Sequence, residues 1–193
     1  MKRITVFCAS SPGFKEVYMQ AARSVGHTLA SRGTGLVYGG AKVGLMGAVA
    51  DGALEAGGEV IGVIPDFLRS KEIAHTGLTE LIIVESMHAR KTKMNDLCDG
   101  VIALPGGFGT LEELFEILTW GQLGLHQKPI GLLNTAGFYD HLIGLLDHMT
   151  TEGLLKAANR DMLLVSENVE ELLSLMSAYV PPVTGKWISR DEV

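Results

Sequence analysis

Residues 104–116, LPGGFGTLEELFE, place three glycines and a threonine between an apolar run and a helix-like segment that opens on two adjacent carboxylates. Glycines at a strand-to-helix junction let several backbone N–H groups point at one anion, where the helix dipole is positive. A phosphate cradled by Gly106, Gly107 and Gly109 fits that arrangement, with Phe108 and Leu111 between and behind them. Thr110 can cap the helix or place its hydroxyl on the same phosphate. The plainer alternative is a tight turn with no ligand. Glu112 and Glu113 lie about 100° apart around the helix, so they cannot share one role. Either can complement the positive helix end.

A second glycine segment, YGGAKVGLMG at 38–47, also follows an apolar run and opens a helix, making Gly39, Gly40 and Gly44 candidate pocket wall. It lacks the G-x-G-x-x-G order and the acid that would hold a dinucleotide ribose, and no G-x-x-x-x-G-K-[ST] loop occurs. In SMHARK, 86–91, the apolar stripe of Met87, Met94, Leu97 and Cys98 has Arg90 and Lys91 just inside its borders. Lys91 reads best as a side chain snorkelling over the core, with Arg90 open between that and a site role. Arg90 stands near the start of its helix and Glu113 near the start of the next, so the two can reach one pocket. Glu116 points away from the stripe of Leu111, Leu114, Phe115 and Leu118 and is expected to be solvated.

Other chemistries find little support. The six histidines have no H-E-x-x-H or clustered spacing, so no metal is expected, and no G-x-S-x-G elbow is present. No cofactor is expected either: the lysines have no pattern for a pyridoxal Schiff base. In CASSPG, Ser10 or Ser11 can touch a ligand, although turn formation is the commoner use of such residues.

The elements that must position these groups follow from alternation of short β-rich runs with helix-length segments. That pattern predicts an α/β, doubly wound, mainly parallel sheet with helices on both faces. Strands are expected at 3–9, 35–38, 59–64, 80–84, 101–104, 129–133 and 162–165, and helices at 16–31, 44–56, 86–98, 110–123, 138–151 and 169–179. Residues 1–179 form one domain in this reading, and 180–193, with Pro181 and Pro182, an extended tail. Strand-to-helix loops then converge on one rim, where doubly wound sheets bind ligands. Apolar or small residues Ile117, Trp120 and Gly121 widen the buried surface of their helix. A helix-mediated homo-oligomer or a larger internal core accounts for this.

The chain has 193 residues and a net charge of −6, which disfavours nucleic-acid backbone as a partner. The opening apolar run is too short for a signal peptide, and no later run has membrane-spanning length. Two widely spaced cysteines fit a reducing cytoplasm.

Together, SMHARK, YGGAKVGLMG and LPGGFGTLEE resemble the LOG family, the cytokinin riboside 5′-monophosphate phosphoribohydrolases, often mislabelled lysine decarboxylases. The resemblance runs to about residue 175. The signature P-G-G-x-G-T-x-x-E is met by Pro105, Gly106, Gly107, Gly109, Thr110 and Glu113, and M-H-x-R-K by Met87, His88, Arg90 and Lys91. It implies a Rossmann-like homodimer that hydrolyses a nucleoside 5′-monophosphate, cytokinin riboside monophosphate or AMP, to free base and ribose 5-phosphate. Arg90 and Glu113 match the catalytic pair. Residues 107–113, Lys91, Glu72 and Thr119 match nucleotide-contacting positions. Ala41 departs from a third glycine common in the YGGG loop, which bears on base preference. The alternative is a non-catalytic carrier of a nucleotide or of a phosphorylated cofactor such as molybdenum cofactor.

Overall fold

Seven apolar runs of four to six residues pair side by side in the computed structural model, which describes residues 1–69 and 74–182. In chain order the elements are β1 (Arg3–Phe7), α1 (Glu16–Ser31), β2 (Gly35–Tyr38), α2 (Gly44–Glu55), β3 (Val60–Pro65), α3 (Asp66–Arg69), β4 (Glu80–Val84) and α4 (Met87–Leu97). There follow β5 (Gly100–Ala103), α5 (Phe108–Gln122), β6 (Ile130–Leu133), α6 (Asp140–Thr151), α7 (Ala157–Arg160), β7 (Leu163–Ser166) and α8 (Val169–Ala178). The sheet order is β4-β3-β2-β1-β5-β6-β7, and every pairing is parallel, a Rossmann-like α/β arrangement.

Alternation along β1 sorts the two cores. Ile4, Val6 and Cys8 join the cluster under α1, α2 and α8, whereas Phe7 joins Val37, Val101 and Ala103 under α4, α5 and α6. On the first face α1 and α2 cross with backbones in near contact. A methyl on Gly26 would lie 2.0 Å from the Val49 carbonyl oxygen, and one on Gly52 would lie 2.2 Å from that of Arg23. Each helix thus gives the other a side without a side chain.

Several boundaries differ from expectation. The helix expected from residue 110 begins at Phe108, because glycine is acceptable in a first turn whose N–H groups have no intrahelical partner anyway. Single turns at α3, at α7 and in a 3-10 segment at Thr135–Gly137 are too short to show a periodicity. Residues 180–182 carry no regular structure, and the rest of the expected tail lies outside the described residues.

The strand order reverses between β1 and β5, which opens a crevice at their carboxyl ends. Backbone hydrogen bonds hold the two ends together: Leu104 N–H donates to the Phe7 carbonyl at 2.9 Å, and Ala9 N–H to that of Pro105 at 3.3 Å. Met46 N–H of α2 donates to the Ala9 carbonyl at 3.2 Å. Tyr139 Oη, buried ahead of α6, donates to the Leu104 carbonyl at 2.6 Å. These bonds fix the start of the glycine loop from both sides.

Candidate active site

A cavity of about 400 Å³ occupies this crevice. Residues 8–11 after the end of β1 form one wall, and Gly107 with Phe108, Gly109, Thr110, Glu112 and Glu113 of α5 the other. Met46, Leu68, Met87 and Arg90 close it. Phe108 is 94% exposed at the mouth, while Thr110, Arg90 and Glu113 are buried at depth.

Arg90 and Glu113 therefore share one cavity, as their positions at two helix starts suggested. Ser86 caps α4 by accepting from Ala89 N–H at 3.1 Å, which sets the helix phase that turns Arg90 inward. The Arg90 Nη2 donates to the Gly39 carbonyl at 3.1 Å, and Nη1 lies 3.9 Å from Met87 Sδ. Its Nε is buried without a hydrogen-bond partner among the described residues. A buried donor left in that state costs about 1–3 kcal/mol, a cost that a ligand oxygen can remove.

Cys8 reports on the same charges. Burial pushes its thiol well above the ordinary value, the Glu113 charge adds to this, and Arg90 opposes it. Burial thus favours the neutral thiol. Native protein treated with iodoacetamide at pH 8 is expected to leave Cys8 unmodified, while unfolded protein reacts there; mass mapping checks this.

The start of α5 has the form of an anion site. Gly107 precedes the helix without a side-chain cap, and the first turn closes with Leu111 N–H on the Gly107 carbonyl at 3.0 Å. The N–H groups of Phe108, Gly109 and Thr110 are thereby left at the helix end. Methyl groups on Gly107 or Gly109 would meet nothing within 4 Å, since both face open space. Thr110 is not the cap considered from sequence. It is the third residue of the helix, 4% exposed, and its side chain fills the space a Gly106 methyl would need.

Other expected site residues are placed differently. Ser10 lines the cavity, as does Met87, but Gly39, Gly40 and Gly44 stand behind its wall. Gly39 backs the Arg90 guanidinium, Gly40 abuts Val63 and Ile64, and Gly44, at φ +57°, lets α2 approach the Ser10 carbonyl. Ala41 is fully buried in a bridge with Ala74, away from the cavity. Thr119 lies more than two turns along α5, its hydroxyl donating to the Phe115 carbonyl at 2.7 Å, in a separate hollow with Leu118 and Gln122. Glu72 lies outside the described residues.

Lys91 and Glu116 also depart from expectation. The Lys91 Nζ lies 2.6 Å from Glu112 Oε1 and 2.9 Å from Glu116 Oε1, and only 12% of its side chain is exposed. Burial opposes the Lys91 charge, yet the hydrogen bonds it donates to Glu112 and Glu116 outweigh this and raise its pKa. Glu116 is thus a cross-helix partner rather than a solvated acid. Periodicity within α5 could not reveal it, because the partner belongs to another helix. Likewise Ile117 and Gly121 are buried in the internal core, Gly121 against Met162 and His126, and Trp120 is partly buried against it.

Residues 46–176 match a family described as possible lysine decarboxylase. The chain is 46% identical over 180 residues to cytokinin riboside 5′-monophosphate phosphoribohydrolase LOG2 of Arabidopsis thaliana, covering 93% of this chain and 84% of that protein. It is 49% identical over 170 residues to the cytokinin riboside 5′-monophosphate phosphoribohydrolase of Rhodococcoides fascians, covering 88% and 86%. Among solved structures, the molybdenum cofactor carrier protein of Chlamydomonas reinhardtii superposes with a TM-score of 0.67 at 22% identity, covering 91% and 96%, a likeness of fold. With the signature loop at the start of α5 and relatives of this identity along most of its length, the chain belongs to the LOG family.

Proposed function

We propose that this protein hydrolyses the N-glycosidic bond of a nucleoside 5′-monophosphate, releasing the free base and ribose 5-phosphate. The substrate is a cytokinin riboside 5′-monophosphate, AMP, or both. The observation that carries the reading is the burial of Arg90 and Glu113 in one cavity beside the uncapped, glycine-flanked start of α5. Backbone N–H groups at that helix end hold the 5′-phosphate, each charge-assisted bond contributing about 1.5–3 kcal/mol and fixing the sugar. As the C1′–N bond breaks, its electron pair leaves with the base and positive charge builds on the ribose. The Glu113 carboxylate stabilises that charge and takes a proton from the water that attacks C1′. The departing base takes up a proton. Arg90, with its unpartnered Nε, binds the nucleotide and holds it against Glu113.

In the same reading the ligand is a small nucleotide rather than a nucleic-acid strand, and the protein works without a metal or cofactor. Free Cys8 and Cys98 accord with a cytoplasmic setting. A homodimer would use the outer face of α5, where Phe115 and Thr119 are exposed.

Purified protein incubated with AMP and with isopentenyladenosine monophosphate, then analysed by chromatography, tests the reading. Release of free base from at least one is expected. Binding of both without cleavage would instead support a carrier, the role named for the Chlamydomonas protein of similar fold.

A further inference from the structure

The catalytic candidates sit on α4 and α5, two helices packed on the same sheet face over one apolar cluster. The α4 helix packs on β1 to β4, and the Thr5 hydroxyl donates to its Met94 carbonyl at 3.0 Å. At the adjacent residue, Lys128 Nζ lies 3.0 Å from Asn95 Oδ1. These contacts hold the carboxyl half of α4, well past Arg90. At the site end, Lys91 links the two helices. This residue directly follows Arg90 and is gripped by Glu112 and Glu116, which flank Glu113 in sequence on one side and by one helical turn on the other.

The two grips are unequal. The Glu112 side chain is 57% exposed and its pairing is screened by water, whereas Glu116 is 24% exposed and faces a nearly buried ammonium. Glu116 lines no part of the cavity and so does not act on a substrate directly. We propose that Glu116 is a positioning residue: with Glu112 it clamps Lys91 and so sets the distance between the helix turns that carry Arg90 and Glu113. Lys91 acts in this arrangement as the pin between the helices. The inference rests on the hydrolase reading above, because positioning matters only if Arg90 and Glu113 act together.

The clamp has consequences that a nucleotide-contacting Lys91 would not. If Lys91 served only to contact substrate, neutralising Glu116 would free it and tighten binding. If it is a pin, neutralising Glu116 loosens the site geometry, and turnover falls while affinity holds. A displacement of about 1 Å can reduce a rate up to about 100-fold, so a partial release of one of two grips should cost about tenfold.

The experiment is steady-state kinetics of Glu116→Gln, Lys91→Met and the double variant on the nucleotide the wild type cleaves, with hydrogen–deuterium exchange of each protein. For Glu116→Gln, kcat should fall about tenfold with KM changed less than about twofold. In the Lys91→Met background the same change should add less than about twofold, because its partner is gone. Exchange should quicken in peptides spanning 87–91 and 108–112 in Glu116→Gln, with the rest of the sheet unaltered. A lowered KM with unchanged kcat, or additive losses in the double variant, overturns the clamp. Unchanged exchange overturns it too, and that readout holds even if the wild type cleaves no nucleotide, the outcome that would instead sink the hydrolase reading.

Discussion

Replacing Glu113 by Gln is expected to lower kcat for nucleoside monophosphate cleavage by on the order of 1,000-fold, within the range for loss of a positioned acid or base. That corresponds to about 4 kcal/mol of transition-state stabilisation. The amide keeps the shape of a side chain that is 7% exposed, so the fold should survive, as circular dichroism can check. It removes the negative charge that would meet the developing positive charge on the ribose, and it cannot take a proton from water. The phosphate cradle at the start of α5 is untouched, so the affinity for AMP measured by calorimetry should change no more than a few-fold. Glu112→Gln is the internal comparison. Its side chain is more than half exposed and engaged with Lys91, so turnover there should fall far less. Equal losses in the two variants, or a Glu113→Gln enzyme as fast as wild type, would remove Glu113 from its assigned role.

The largest effect on stability is expected at the crossing of α1 and α2. Gly26→Ala adds one methyl carbon 2.0 Å from the Val49 carbonyl oxygen and 2.8 Å from the Ala53 nitrogen, both backbone atoms that cannot rotate away. The helices must part along a contact that also includes Gly52. Overpacking of this kind costs about 1–3 kcal/mol, occasionally more. At roughly 2–4 °C per kcal/mol for a chain of this size, Tm should fall by about 2–12 °C. The same substitution at Gly144, exposed on α6 with nothing within 4 Å, should instead raise stability by about 0.5–1 kcal/mol. Calorimetry of the pair therefore isolates the backbone contact from helix propensity. A Gly26→Ala protein as stable as wild type would mean the helices can separate at little cost.

Much of the fold was legible because its signals are local. Strands such as Gly35–Tyr38 and Glu80–Val84, and the helix Glu16–Ser31, coincide with their expected bounds, each marked by apolar composition and by flanking glycine or polar residues. The start of α5 was missed by two residues because Phe108 and Gly109 read as loop until a helix end claims them. Reach of Arg90 and Glu113 into one cavity was legible from topology, since helices that follow parallel strands begin on one rim. The pairing of Lys91 with Glu116 was not, because it depends on the distance between two helices, which no single-helix periodicity contains. The glycines of the α1–α2 crossing were invisible for the same reason: the need for Gly26 and Gly52 comes from the backbone of the opposite helix. Thr119 was singled out by resemblance alone, and within this chain it faces a different hollow from Arg90 and Glu113.

The adjacency of β1 and β5 also bears on how the chain is made. Ile4 pairs with Gly100, so the central strand lacks one of its two neighbours until more than half of the protein has been synthesised. At about 5–20 residues per second, that interval lasts on the order of 5–20 s. During it β1, β2 and β3 can associate, but β1 presents an open edge of unpaired backbone flanked by Ile4, Val6 and Phe7. The feature that gathers the cavity walls from two distant parts of the chain therefore makes the nascent protein a strand-edge hazard on the ribosome. It is also why the crevice can close only after the glycine loop has left the exit tunnel.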